Sequence, residues 1–217
     1  MNEKDQSYYS NNRPEMFAFV QGTPLKILEI GCGKGRFRDN FDYNVEYWGV
    51  EPCISAAEQS KGILTRTLIG RYDDVKDEIP NKYFDLIVCN DVIEHMTDPR
   101  FFLRDIRNKL ADGGSMIVSV PNVRNAVTLF DLIIRGDFQY VTAGVLDYTH
   151  FHLFTMKSFT KMAKECGWVV DLCTPLPPAP FKPIKSVILS CIKLLIPEIK
   201  SSQIAARLRP STMISNS

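Results

Sequence analysis

The stretch Lys26-Ile27-Leu28-Glu29-Ile30-Gly31-Cys32-Gly33-Lys34-Gly35-Arg36-Phe37 is an apolar run that opens into three glycines at alternate positions. A buried parallel strand reads as such a short apolar run, and glycines directly after it let the backbone turn tightly and approach a ligand. The next apolar run closes on an acid, Glu51. Roughly twenty residues from glycine loop to acidic strand end is the spacing at which a carboxylate meets a nucleotide ribose. The segment therefore predicts an adenosine-containing ligand at the carboxyl edge of a sheet.

Outward from this stretch, apolar runs and amphipathic segments alternate. A first helix is expected from a cap at Asn11 or Asn12, with Pro14 in its first turn, to about Val20. Then come strand 26–30, helix 35–41, strand 45–50, helix 52–61, strand 64–69, strand 84–89, helix 99–110 and strand 114–120. Thr97, Asp98 and Pro99 make a helix start, and Asp112-Gly113-Gly114 a sharp stop. Thr155 caps a helix to about Cys166, and Gly167 ends it before a strand at 168–173. The alternation predicts an α/β fold, a doubly wound, mostly parallel Rossmann-like sheet with helices on both faces. Between 121 and 152 the regularity breaks into an apolar helix near 123–134 and an aromatic-rich stretch, which lies where a lid insertion would sit. Residues 1–173 read as one domain carrying that lid, and 174–217 as a proline-rich linker with a basic amphipathic extension.

Composition excludes several classes. With 217 residues, 45% hydrophobic content and a net charge of +1, the chain has neither the basic excess of a nucleic-acid binder nor a solvated acidic tail. Its six cysteines lie far apart without a C-x-x-C pair, as buried reduced thiols do, which points to a reducing, cytoplasmic setting. The polar first twelve residues show no secretory signal, and the apolar stretch 184–196 holds Lys185 and Lys193 and is too short to span a bilayer. Ile184, Val187, Ile188, Cys191, Ile192 and Leu195 recur at helical spacing, and from Thr174 onward Glu198 alone opposes six Lys and Arg residues. Two readings stand for that element: peripheral contact with the inner membrane face through 181–209, or a core-packed helix with a basic edge.

The glycine spacing argues about the ligand. A dinucleotide fingerprint is G-x-G-x-x-G, whereas Gly31, Gly33 and Gly35 give G-x-G-x-G, and no G-K-[ST] follows to make a P-loop. After the fourth strand comes Asn90-Asp91-Val92-Ile93-Glu94-His95. The strand, E-x-G-x-G-x-G, the downstream acid and D-x-x-E-H resemble motifs of class I S-adenosylmethionine-dependent methyltransferases. With Arg13-Pro14-Glu15, Pro121-Asn122-Val123-Arg124 and Asp147 to Thr155, the order resembles the small bacterial members associated with glycan and lipopolysaccharide biosynthesis, over about residues 8–172. The resemblance implies that the loop at Glu29, Gly31, Gly33 and Gly35 carries the methionine part of the cofactor and that Glu51 holds the ribose hydroxyls. It also implies that Asn90 and Asp91 lie beside the cofactor. Arg13 is a candidate for its carboxylate. The chain departs from the family at Arg71, where an acid is usual, so Asp73 or Asp74 becomes the candidate adenine contact.

Methyl transfer to a hydroxyl needs a proton acceptor. His95 is the first candidate and His150 the second, with Asp91 beside them. Asp91, Glu94 and His95 also place two carboxylates and an imidazole within five residues, the arrangement in which related enzymes hold a divalent ion; His150 or His152 would complete it. Oxygen ligands favour magnesium or manganese. The expected acceptor is a sugar hydroxyl of a bacterial surface glycan or its precursor. The alternatives are a quinone-like or other small metabolite, or no acceptor at all in a non-catalytic cofactor-binding subunit.

Overall fold

Seven strands form one sheet: β1 (Lys26–Ile30), β2 (Glu46–Glu51), β3 (Arg66–Ile69), β4 (Phe84–Asn90), β5 (Leu110–Pro121), β6 (Trp168–Pro175) and β7 (Gln203–Pro210). The structure is a computed structural model and describes residues 11–177 and 198–211. The strand order is β3-β2-β1-β4-β5-β7-β6, parallel from β3 to β5, with β7 antiparallel to both neighbours. The chain leaves β1 toward one side for β2 and β3, then returns to the other side for β4. That reversal opens a crevice beyond the carboxyl ends of β1 and β4.

The helices are α1 (Pro14–Phe17), α2 (Ile54–Ser60), α3 (Tyr72–Val75), α4 (Pro99–Asp105), α5 (Ala126–Phe130) and α6 (Met156–Glu165). Start signals hold where a side chain caps the backbone. Asp98 accepts from the N–H groups of Arg100 and Phe101 at 3.0 and 2.9 Å, and Thr155 forms a reciprocal box with Ser158. Helices without a side-chain cap come out shorter or tighter than expected: α1 stops at Phe17, and residues Arg36–Asn40 after the glycine loop form a 3-10 turn.

Neighbouring residues of a strand face opposite ways, so the sheet builds two cores. Ile27, Tyr47, Leu86 and Ile117 belong to one, and Leu28, Val50, Ile87 and Met116 to the other. This is why the central strands read as unbroken apolar runs.

The C-terminal residues require a correction. Strand β7 fills the sheet between β5 and β6, with Ile204, Ala205, Ala206 and Leu208 buried, so 203–210 belongs to the domain rather than to an appended segment. Both edges of β7 are paired, by β5 and by β6. The amphipathic stretch 184–196 lies outside the described residues. None of the five described cysteines is bonded to another, and no helix among the described residues is long and apolar enough to cross a membrane.

The insertion after β5 is closed at its root by a bridge between Asn122 and Phe154. It begins with α5, capped by the Asn125 side chain, and runs on as a π-helical turn over Asp131–Arg135.

Candidate active site

The carboxyl ends of the parallel strands bring Gly31, Glu51, Gly70, Asp91 and Asn122 to one edge. The N–H groups of Gly31 and Cys32 donate to Val50 O at 2.8 and 3.2 Å, folding the glycine loop back onto β2. Gly31 has φ 74°, and a Cβ there would lie 2.4 Å from Val92 Cγ2, so glycine is required. Gly33, at φ 52°, donates its N–H to Glu51 Oε2 at 2.9 Å, and Cys53 N–H donates to Glu51 Oε1 at 2.8 Å. A carboxylate offers about four lone-pair sites. Two are filled by these backbone groups, which leaves two for the hydroxyls of a ligand. Burial pushes the Glu51 carboxyl above the usual range, and the bonds from Cys53 and Gly33 pull against it.

Glu29 lies beneath the loop, 4% exposed, and its carboxyl accepts from Tyr47 Oη at 2.8 Å. Burial pushes it up to about 8, opposed by the Tyr47 bond and reinforced by nearby Glu51. At the third strand end, Asp74 Oδ2 accepts from Arg71 N–H at 3.2 Å as a helix cap, which leaves exposed Asp73 as the open acid. Asn90 Oδ1 and Nδ2 are both buried with no hydrogen-bond partner among the described residues. A buried amide left this way costs about 1–3 kcal/mol, which a bonding ligand would recover. With Glu51's two open sites, it gives the crevice the polar groups that a nucleoside-bearing cofactor requires.

Asp91, at φ 55°, is ringed by donors. Arg13 Nη1 donates to its Oδ2, while Ser119 Oγ and Gln203 Nε2 donate to Oδ1 at 3.0 and 2.8 Å. Arg13 also reaches Glu15 Oε1 at 2.5 Å, Ser119 Oγ at 3.3 Å and Gln203 Oε1 at 3.2 Å. The guanidinium expected to meet a cofactor carboxylate therefore brackets Asp91. With three donors on it, Asp91 has about one of its four acceptor sites left, and it stands outside the group of ligand atoms described next, which corrects its expected place among the metal ligands.

Glu94 and His95 sit in a 3-10 turn, Glu94 wholly buried. The insertion returns to this turn: Phe151 and His152 N–H donate to Glu94 O at 2.8 and 3.2 Å. His95 Nδ1 lies 3.0 Å from Thr149 O, and His150 Nδ1 lies 3.0 Å from Val145 O. A carbonyl only accepts, so each Nδ1 carries a proton, and it is the neutral form of such a ring that has its lone pair on Nε2. The rings are 4.7 Å apart, and the ligand atoms of Glu94, His95 and His150 lie within 4.8 Å of one another. Asp91 does not join this group, nor does His152, whose Nε2 is buried without a partner among the described residues. One carboxylate with two imidazoles is a softer donor set than the expected one, better matched to manganese, iron or zinc than to magnesium.

A family model described as a methyltransferase domain matches residues 1–172. The chain belongs to this methyltransferase family. Among similar curated proteins, a ubiquinone biosynthesis O-methyltransferase from Bradyrhizobium is 31% identical over 133 residues, covering 58% of this chain and 52% of its own length. One from Aeromonas salmonicida is 26% identical over 156 residues, covering 67% and 63%. The chain thus spans roughly half to two thirds of the length of these curated relatives. A crystal structure of a SAM-dependent methyltransferase from Archaeoglobus fulgidus has the same fold, with TM-score 0.65, 17% identity and 94% coverage of both chains. None of these names speaks for a surface-glycan acceptor.

Ser119 and Gln203 are site neighbours that sequence reasoning missed. Gln203 starts β7, beyond the stretch that the family model matches. The short run Ile204–Ala206 with Leu208 is its only sequence signal, a strand pattern obscured by the prolines before it.

Proposed function

We propose that the chain is an S-adenosylmethionine-dependent O-methyltransferase whose acceptor is a ring hydroxyl of a quinone-like or similar small molecule. The observation that carries this reading is the pair of imidazoles at the sheet edge, each with Nδ1 on a backbone carbonyl and the two rings in contact. The acceptor class is supported by the names of the curated relatives; the sugar hydroxyl has no such support and is set aside.

When bound, the cofactor supplies an electrophilic methyl group: a lone pair of the acceptor oxygen forms the new O–C bond as the C–S bond breaks and leaves its electrons on sulfur. Glu51 offers two acceptor sites to the ribose hydroxyls, and Gly31 and Gly33 let the backbone come close. Such positioning supplies on the order of 7–11 kcal/mol in favourable cases. His95 takes the acceptor's proton at Nε2, a contribution of about 10²–10⁴-fold. His150, in ring contact with it, keeps the base in place.

The test is transfer of labelled methyl to 3,4-dihydroxybenzoate, with a sugar nucleotide as the competing acceptor. The catechol should be labelled, and His95→Asn should lower kcat about 10²-fold or more while SAM affinity stays within about twofold. Labelling of the sugar nucleotide alone, or an unchanged rate in the variant, would refute the reading.

The three-group cluster also favours a second reading of the same site. Glu94, His95 and His150 fit a divalent cation, which would lower the pKa of an acceptor hydroxyl bound to it. In that case chelator removes activity and manganese restores it. Chelator-resistant activity leaves His95 as the base.

A further inference from the structure

The middle of the insertion after β5 is solvated, and one buried carboxylate interrupts it. Between Leu129 and Thr149, Asp147 is the single buried residue, 3% exposed, and the chain then returns to the fold with His150, 8% exposed. Burying a carboxylate costs free energy unless hydrogen bonds compensate it. Asp147 Oδ1 accepts from Thr149 N–H at 2.8 Å and from the Thr149 hydroxyl at 2.7 Å. A side chain that bonds the backbone two residues on builds a turn at that point. The Asp147 backbone is tied as well: its N–H donates to Gly144 O at 3.2 Å, and its carbonyl accepts from His150 N–H at 2.9 Å. Tyr148, between the bonded residues, stays 54% exposed, so burial follows the carboxylate rather than the bulkier apolar ring.

The turn built on Asp147 presents two carbonyls, and each meets an imidazole. Thr149 O lies 3.0 Å from His95 Nδ1, and Val145 O lies 3.0 Å from His150 Nδ1. Thr149 is the residue on which the Asp147 side chain places both of its bonds, and Val145 follows Gly144, whose carbonyl accepts the Asp147 N–H. We propose that Asp147 is the positioning residue of the histidine pair: by fixing the 144–150 turn, it selects the ring nitrogen that each imidazole turns toward the site. His95 sits in the 3-10 turn after β4, so a carbonyl supplied from the insertion sets a ring that another element carries. The partner of one ring nitrogen decides which nitrogen holds the proton. Phe151 and His152 N–H donate to Glu94 O at 2.8 and 3.2 Å and bring the segment to the sheet edge; the bonds of Asp147 then aim its carbonyls. The geometry stands by itself, and its catalytic consequence rests on the reading of His95 given above.

Ring nitrogen–proton NMR spectra of the full chain test the proposal, and with three histidines in the chain each ring is assigned by single substitution. In mildly alkaline buffer the wild-type His95 and His150 should each carry the proton on Nδ1, and Asp147→Ala should move a population of both to Nε2. SAM affinity should stay within about twofold, while kcat falls about 10- to 100-fold with the acceptor KM little changed. Asp147→Asn keeps an oxygen that accepts from Thr149 and should restore the wild-type ring spectrum. Thr149→Val deletes the hydroxyl bond alone; it stands in for Asp147→Ala if that variant does not fold, and should show the same displacement, weaker. The ring spectra need no acceptor, so failure of the catechol assay would sink the reading of the reaction and leave the positioning role to be judged by NMR. Wild-type rings protonated on Nε2, or a folded Asp147→Ala protein (Thr149→Val in its place) whose rings keep the Nδ1 proton, would overturn the proposal. So would an Asp147→Asn ring spectrum matching that of Asp147→Ala.

Discussion

Replacing Glu51 by glutamine removes charge while keeping shape, and the structure sets the size of the effect. Both carboxylate oxygens already accept backbone N–H groups, from Gly33 at 2.9 Å and Cys53 at 2.8 Å. An amide has one oxygen and one NH₂, so in either orientation one of those N–H groups faces a donor. That buried N–H loses its partner, at a cost of about 1–3 kcal/mol of folding stability. One of the two remaining acceptor sites also disappears, and with it one charge-assisted bond to a ribose hydroxyl, about 1.5–3 kcal/mol. The SAM dissociation constant should therefore rise about 10- to 150-fold. Wild-type affinity should weaken in acid from above the ordinary carboxylate range, because burial raises the Glu51 carboxyl and protonation removes acceptor capacity. Isothermal titration of both proteins with SAM, alongside thermal melts, separates the two effects. A variant that melts lower but binds SAM within about twofold of wild type would show that Glu51 braces the loop without touching the ribose.

Three further outcomes are expected. Glu29 has a folded-state pKa of about 8 against an ordinary 4.5. Its contribution to stability is therefore complete below the ordinary value and lost as pH rises through about 8, so Glu29→Gln should gain on wild type in melts from pH 4.5 to about 8 and hold that gain above it; parallel curves between those values would refute this. In Gly49→Ala the new Cβ would lie 2.5 Å from Cys32 Sγ and 2.6 Å from Leu64 Cδ1, costing about 1–3 kcal/mol by denaturant unfolding. Adding Cys32→Ala should recover part of that loss, and full additivity would refute the clash. Gln203→Leu removes the bonds to Asp91 and Arg13 and should cost about 1–3 kcal/mol with weaker SAM binding; unchanged affinity would remove Gln203 from the site.

The parts of the fold written in local signals were legible. Apolar runs located β1, β2, β4 and β5 because both faces of each strand are buried, and Asp98, Thr155 and Gly167 marked boundaries that the backbone obeys. The glycine loop and Glu51 were legible for the same reason, since turn geometry and strand-end position follow from spacing. What spacing does not give is side-chain direction. Asp91 stands three residues before Glu94, yet its left-handed backbone and the donors from β5, β7 and Arg13 hold it away from the cluster. His150 joins His95 only because the insertion folds back onto Glu94 O. Strand β7 pairs with β5 across some eighty residues of sequence, with Pro121 opposite Gln203. Such long-range pairing leaves little trace in the local pattern.

The reading as a methyl-donor site is tested most directly by calorimetric titration of the wild-type chain with SAM and, separately, with NAD. The G-x-G-x-G loop, the open acceptor sites of Glu51 and the unpartnered Asn90 amide together predict saturable one-to-one binding of SAM and no heat with NAD. A folded chain that binds NAD, or that gives no heat with SAM, would contradict it.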